Sequence, residues 1–142
     1  MEKKGWILVA FFVLIEMLQA CSEVKTDVKK LEGKWNIIEV KGKKLLMEGL
    51  PSMEFDMQER KIHGNAGCNL FNSTIELNAD DVSLITINPG ATTMMACPDI
   101  ETEDAILKAM NDVKRVKSGH SEDEMLLIDS NGNVVFVLSK GK

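Results

Sequence analysis

Between residues 31 and 138 the chain alternates apolar and polar positions in short runs, each closed by a cluster of Gly, Asn, Asp or Pro. A period of two over about four to eight residues marks a strand with one buried face. In residues 31–40, Trp35, Ile37 and Glu39 fall on one face and Asn36 and Ile38 on the other, before a turn at Lys41-Gly42-Lys43. Residues 44–47 read as a short return strand or an edge, and Met53-Glu54-Phe55-Asp56-Met57 alternates strictly. After a turn at 58–60, Lys61-Ile62-His63 leads into Gly64-Asn65-Ala66-Gly67-Cys68-Asn69-Leu70-Phe71-Asn72. Residues 70–77 continue as a strand, 78–81 turn, and 82–87 pair back until Pro89-Gly90 breaks the run. One stretch changes period. Asp99 can cap a helix, Glu101, Glu103 and Asp104 suit its positive end, and Ile106, Leu107, Met110 and Val113 recur at helical spacing. Lys114 and Arg115 suit the other end, and residues 116–120 lead out. Two last strands, 125–128 and 134–138, flank a turn whose Asn131-Gly132 is a strong hairpin signal. These signals give a mainly β (α+β) fold, a small antiparallel β-barrel or sandwich with one α-helix, about residues 99–115, inserted before the last hairpin.

The first twenty residues follow another rule. Lys3-Lys4 precede an apolar run from Trp6 to Ile15, too short to span a bilayer permanently but suited to a secretory signal. Leu18-Gln19-Ala20-Cys21 follows at once and resembles a bacterial lipobox, in which the cysteine is acylated and becomes the first mature residue. The alternative is an ordinary cleaved signal with a stray cysteine. Each buried CH₂ of an acyl chain adds about 0.8 kcal/mol of membrane affinity, so several chains on Cys21 would anchor the protein permanently. Ser22 stands where an aspartate would retain an enteric lipoprotein in the inner membrane, which points to the outer membrane. The chain thus divides into a signal peptide (1–20), a charged tether after lipidated Cys21 (21–30) and one domain (31–142). A length of 142 residues suits one core, and a net charge of −5 with scattered Lys and Arg gives no nucleic-acid footprint. A monomer is expected.

Cys68 and Cys97 are the only cysteines in the body of the chain, and an exported domain lives where disulfides persist, so the pair reads as a disulfide. Gly64 and Gly67 permit a tight bend, and Asn69 and Asn72 offer side chains that bond local main chain. Other chemistry finds less support. Zinc would want a close Cys or His spacing that is missing here. Copper(I) would accept Met94, Met95 and Cys97 as soft ligands, against which methionines beside a strand ordinarily fill the core. His63 and His120 each lack a neighbouring nucleophile, so surface histidines are expected. The acids Asp80-Asp81 and Glu122-Asp123-Glu124 sit in apparent turns, and Gly64–Gly67 lacks the Lys and the helix of a phosphate loop. No catalytic residue, metal or cofactor is therefore expected. Gly33-Lys34-Trp35 resembles the Gly-x-Trp of lipocalin-like barrels, which keeps a carrier of a small hydrophobic ligand as the alternative function.

Taken in order, Trp35, Gly67-Cys68-Asn69 with Phe71-Asn72, Thr92-Thr93-Met94-Met95-Ala96-Cys97-Pro98, a helix and a Leu-rich Asn-Gly hairpin resemble the META domain family of HslJ-like bacterial proteins. The likeness runs from about Leu31 to Leu138, with Ser73 where a glycine is frequent. It implies a mostly antiparallel β domain with one helix, a paired Cys68 and Cys97, and a place in the envelope. It implies no catalytic activity, and it links the domain to stress, drug tolerance or motility. The function expected is that of a non-enzymatic envelope lipoprotein that binds an envelope partner or supports the envelope under stress.

Overall fold

Ten strands make one antiparallel sheet whose two ends nearly meet. The computed structural model describes residues 24–141, so the expected signal peptide and the expected lipidation site at Cys21 lie outside the described residues. The strands are β1 (Gly33–Val40), β2 (Lys43–Lys44), β3 (Ser52–Asp56), β4 (Lys61–Asn65), β5 (Leu70–Leu77), β6 (Ile85–Ile87), β7 (Ala91–Thr92), β8 (Arg115–Ser118), β9 (Glu124–Ile128) and β10 (Val134–Lys140), with α1 (Ile100–Ala109) between β7 and β8. Their order is β6-β5-β4-β3-β1-β10-β9-β8, with β2 beside β1 and β7 beside β5. The seam between β6 and β8 is stitched by the N–H of Ile85 donating to Lys114 O (3.1 Å) and that of Val116 donating to Ser83 O (2.9 Å). Closing the sheet this way hides the backbone edges that an open sheet would expose to other chains.

The inward faces fill the barrel. Trp35, Ile37, Met53, Phe55, Ile62, Leu127, Phe136 and Leu138 are all buried in one cluster, to which α1 and the turn after it add Ile106, Ala109, Met110 and Val113. Trp35 also needs a partner for its indole N–H, which it gives to Leu31 O at 2.8 Å. Helix α1 packs against β1, and the 3₁₀ turn Met110–Asp112 packs against β6. Asp99 caps α1 as the sequence indicates, accepting from Thr102 N at 3.2 Å.

Four local expectations need correction. Glu39 does not face inward, because a bulge at Ile38 slips the register between Ile37 and Glu39 and turns Val40 into the core instead. The helix stops at Ala109 rather than near 115, and Lys108, not Lys114 or Arg115, is the basic residue of its last turn. Val113 continues the helical spacing, but the chain is already extended there. Residues 115–118 are a strand paired with β9, so three strands rather than two follow the helix. Within 82–87 only Ile85–Ile87 is strand, while Val82 O and Ser83 O accept from Val28 N and Val116 N. The packed region also reaches into the stretch expected as a solvated tether. Thr26 and Val28 are buried, the Thr26 hydroxyl meets that of Ser118 at 3.0 Å, and a 3₁₀ turn (Val28–Leu31) capped by Asp27 leads into β1.

Candidate functional site

The bend between β4 and β5 holds the most unusual local chemistry. Of the two glycines expected to make it, Gly64 lies in β4 itself, paired with Met53 and Phe71, and only Gly67 is in the bend. A Cβ at Gly64 would stand 2.0 Å from Ser52 O and 2.9 Å from the Phe71 ring, so the neighbouring strand permits no side chain. Gly67 has open space around it but sits at φ +131°, which an L side chain rarely adopts. The Asn65 side chain accepts from Gly67 N at 2.7 Å, and Ala66 N donates to Asn69 O at 3.0 Å, which closes the bend.

Asn69 lies at the centre, 6% exposed. Its Oδ1 accepts from Thr93 Oγ1 (2.8 Å) and from Met95 N (2.7 Å), and its Nδ2 donates to Met95 O (3.2 Å). The side chain therefore bonds main chain as expected, but across to residues 93–95 rather than within its own bend. Thr93, which belongs to the Thr92–Pro98 motif but was given no role of its own from the sequence, completes the tie by accepting from Leu70 N at 3.0 Å. Its partners come from a bend more than twenty residues earlier, so the motif does not announce the contact. Cys68 and Cys97 form the disulfide, with Cα atoms 6.1 Å apart. Asn69 Nδ2 also points at Cys97 Sγ from 3.7 Å, and that sulfur lies 3.4 Å from Met95 O. The segment so tightly held presents Met94 (91% exposed) and Met95 (54% exposed) to solvent, with Leu70 exposed beside them. These methionines are not core filler.

Asn72, the other asparagine of the motif, has a different place. It stands on the outer face of β5, opposite His63, and His63 stands opposite Glu54. The His63 ring lies 3.2 Å from the Glu54 carboxylate, and both histidines are exposed. The structure thus brings Asn69 to the disulfide and leaves Asn72 away from it.

A second polar cluster locks the barrel seam. Asp81 accepts from Ser83 N (3.0 Å) and Ser83 Oγ (2.7 Å), and Ser83 Oγ accepts in turn from Arg115 Nη1 (2.6 Å). Lys25 Nζ reaches the same carboxylate at 2.9 Å. The hydrogen bond from the Ser83 hydroxyl, then that from Lys25, holds the Asp81 carboxyl well below the usual carboxylate range. An Asp two residues before a Ser in a turn is the signal from which part of this cluster could have been read.

The clefts are on the outside. One of about 500 Å³ is lined by Val24, Thr26, Arg115, Lys117 and Val134, and one of about 180 Å³ by Phe71, Asn72, Asn88, Leu107 and Asn111. A carrier of the lipocalin kind holds its ligand inside the barrel, and here Trp35, Phe55, Phe136 and their neighbours occupy that space. Among the described residues no cluster of three or more His, Cys, Asp or Glu could hold a metal, and no helix is long and apolar enough to cross a membrane.

Comparison with known proteins agrees with this architecture. The model of the META domain matches residues 26–141, a span that begins where Thr26 joins the packed fold. None of the curated proteins matches the chain. Among solved structures, the chain is similar to a protein from Burkholderia xenovorans, with TM-score 0.61 and 17% identity over 87% of this chain and 97% of that one. It is similar also to a DUF4847 family protein from Bacteroides vulgatus, with TM-score 0.58 and 11% identity over 79% of this chain and 94% of that one. At such identities the likeness is one of fold.

Proposed function

Because the chain belongs to the META domain family over residues 26–141, we propose that it is a non-enzymatic module of the bacterial envelope that acts by binding a protein partner through its outer surface, in support of the envelope under stress. The observation that carries this reading is the filled interior: with Trp35, Ile37, Phe55, Phe136 and Leu138 fully buried inside the sheet, the outer surface is what remains to recognise a partner. The disulfide fits an oxidising compartment.

Acylated Cys21 would hold the module at the outer membrane. Four residues separate Cys21 from Thr26, and the five chain steps reach at most about 18 Å, so the domain would ride close to the lipid surface. Register then orients it. Gly33 pairs with Phe55 and Phe55 with Ile62, whereas Ser52 pairs with Asn65, so the disulfide bend lies at the end of these strands opposite to that where β1 begins. The bend would face away from the anchor, toward partners.

The test is cross-linking in intact cells followed by membrane fractionation, with Cys21→Ala as the control for anchoring. Expected are a membrane-bound parent, a soluble C21A variant and a discrete cross-linked partner that is lost when Leu70 and Met94 become Asp. A parent that cross-links to nothing, together with a deletion strain of unchanged stress and drug tolerance, would count against the reading.

A further inference from the structure

The methionine pair beside the disulfide is the one sulfur-rich surface in the described structure, and burial does not account for it. Covering an apolar side chain of this size stabilises a fold by about 1.5–3 kcal/mol, yet Met94 is 91% exposed in a segment whose main chain is fixed on both sides. Met95 is anchored through both its N–H and its C=O to one buried amide, Asn69. Its carbonyl oxygen is 3.4 Å from Cys97 Sγ. Met94 and Met95 stand three and two residues before Cys97, which is bonded to Cys68, so four sulfur-bearing residues are gathered at this one tie.

We propose that this bend is a thiol-gated copper(I) site, in which reduction of the Cys68–Cys97 bond frees two cysteine sulfurs that bind one Cu(I) ion together with the thioethers of Met94 and Met95. Thiolates and thioethers are soft ligands that select Cu(I), and a thioether set discriminates against the harder divalent ions. The gate is a dithiol–disulfide exchange. An external dithiol supplies two electrons and two protons, the S–S bond breaks to give two thiols, and the dithiol leaves as its own disulfide. Cu(I) then displaces the two thiol protons to solvent as the Cu–S bonds form. In the oxidised state only the two thioethers remain, so the site is weak. The amide N–H of Asn69, already aimed at Cys97 Sγ, donates to the metal-bound thiolate and keeps residues 93–97 in place while the bond is open. The proposal concerns the purified chain and stands or falls separately from partner binding in the envelope.

Competition against the chromophoric chelator bicinchoninate under anaerobic conditions tests it, on protein reduced with a phosphine that is then removed. The reduced parent should withdraw one equivalent of Cu(I), and the oxidised parent should bind at least about 100-fold more weakly. The variant Met94→Leu/Met95→Leu keeps the apolar surface and the disulfide but removes the thioethers, and when reduced it should bind about tenfold or more weakly than the parent. Equal binding by the oxidised and reduced parent, or by the reduced parent and the double-leucine variant, would overturn the assignment. So would a reduced parent that loses its near-ultraviolet dichroism and does not regain it on adding Cu(I).

Discussion

Gly64 in β4, and Gly67 and Asn69 in the bend after it, show how single residues fix this part of the sheet, and each does so by a different force. At Gly64 the obstacle is a backbone carbonyl, Ser52 O, which cannot swing aside as a side chain would. Gly64→Ala should therefore sit at the severe end of overpacking, about 3 kcal/mol of lost stability or more. At Gly67 there is room but the wrong φ for an L residue, so Gly67→Ala should cost about 1–2 kcal/mol through backbone strain alone. Urea unfolding of the two variants side by side checks the order; an equal loss would mean that the close approach at Gly64 relaxes. Asn69→Ala leaves the N–H and C=O of Met95 and the hydroxyl of Thr93 without their partner. A buried group so orphaned costs about 1–3 kcal/mol, and these bonds are part-buried, so the loss should lie near the lower end, about 1 kcal/mol. Amide exchange at Met95 should accelerate sharply in that variant while exchange in β1 and β10 is unchanged, since their ladder bonds do not involve the bend.

At the scale of elements, the stretch from Asp81 to Ser118 decides whether the sheet closes. Alternation made β1, β3 and β5 legible, because each packs one face on the core and the sequence records that face every second residue, whereas the apolar run of β10 was legible through the Asn131-Gly132 turn before it. Strand β8 left no such record. Its four residues follow Val113 at helical spacing, and what makes them a strand is distant: Arg115 is drawn to Ser83 and Asp81, and Lys114 O accepts from Ile85 N. The bulge at Ile38 was illegible for the same reason, since it depends on which residue of β10 stands opposite. The bend was legible as a motif because glycine and asparagine name a turn locally, whereas its partner Thr93 lies in another segment. The seam also predicts a pH dependence. Asp81 titrates well below its ordinary 3.8 in the folded protein. A carboxyl so depressed stabilises the fold fully above the unfolded value and loses that contribution as pH falls from there toward the folded value. The urea midpoint of the parent should fall below about pH 4, with Asp99 and Asp129, also depressed by hydrogen bonds from Thr102 and Asn133, contributing to the same slope. Asp81→Asn should be less stable at neutral pH and show a shallower acid slope; an unchanged slope would remove the carboxylate from the account of closure.

For the whole molecule, the disulfide acts less on the barrel than on the chain that unfolds from it. The bond closes a loop between residues 29 apart in sequence, and that loop contains β5, β6 and β7, half of whose partners lie outside it. On the chain-entropy model a loop of this size removes about 3–4 kcal/mol from the denatured ensemble. Domains of this class are stable by about 5–15 kcal/mol in total, so reduction takes a large share without exhausting the whole. The native sheet holds no element that depends on the sulfur bond for its pairing: β5 keeps its ladder with β4, β6 and β7, and the seam keeps Ser83 with Arg115. The reduced protein should consequently remain folded at room temperature and melt cooperatively at a Tm lower by about 10–20 °C. Its urea m-value should rise, because the unbridged denatured chain exposes more surface. A reduced chain that has already lost β6 and β8 protection in hydrogen exchange at room temperature would place the bond among the native contacts that hold the barrel shut. In that case opening the disulfide would open the seam as well, and the bend could not change its redox state within an intact fold.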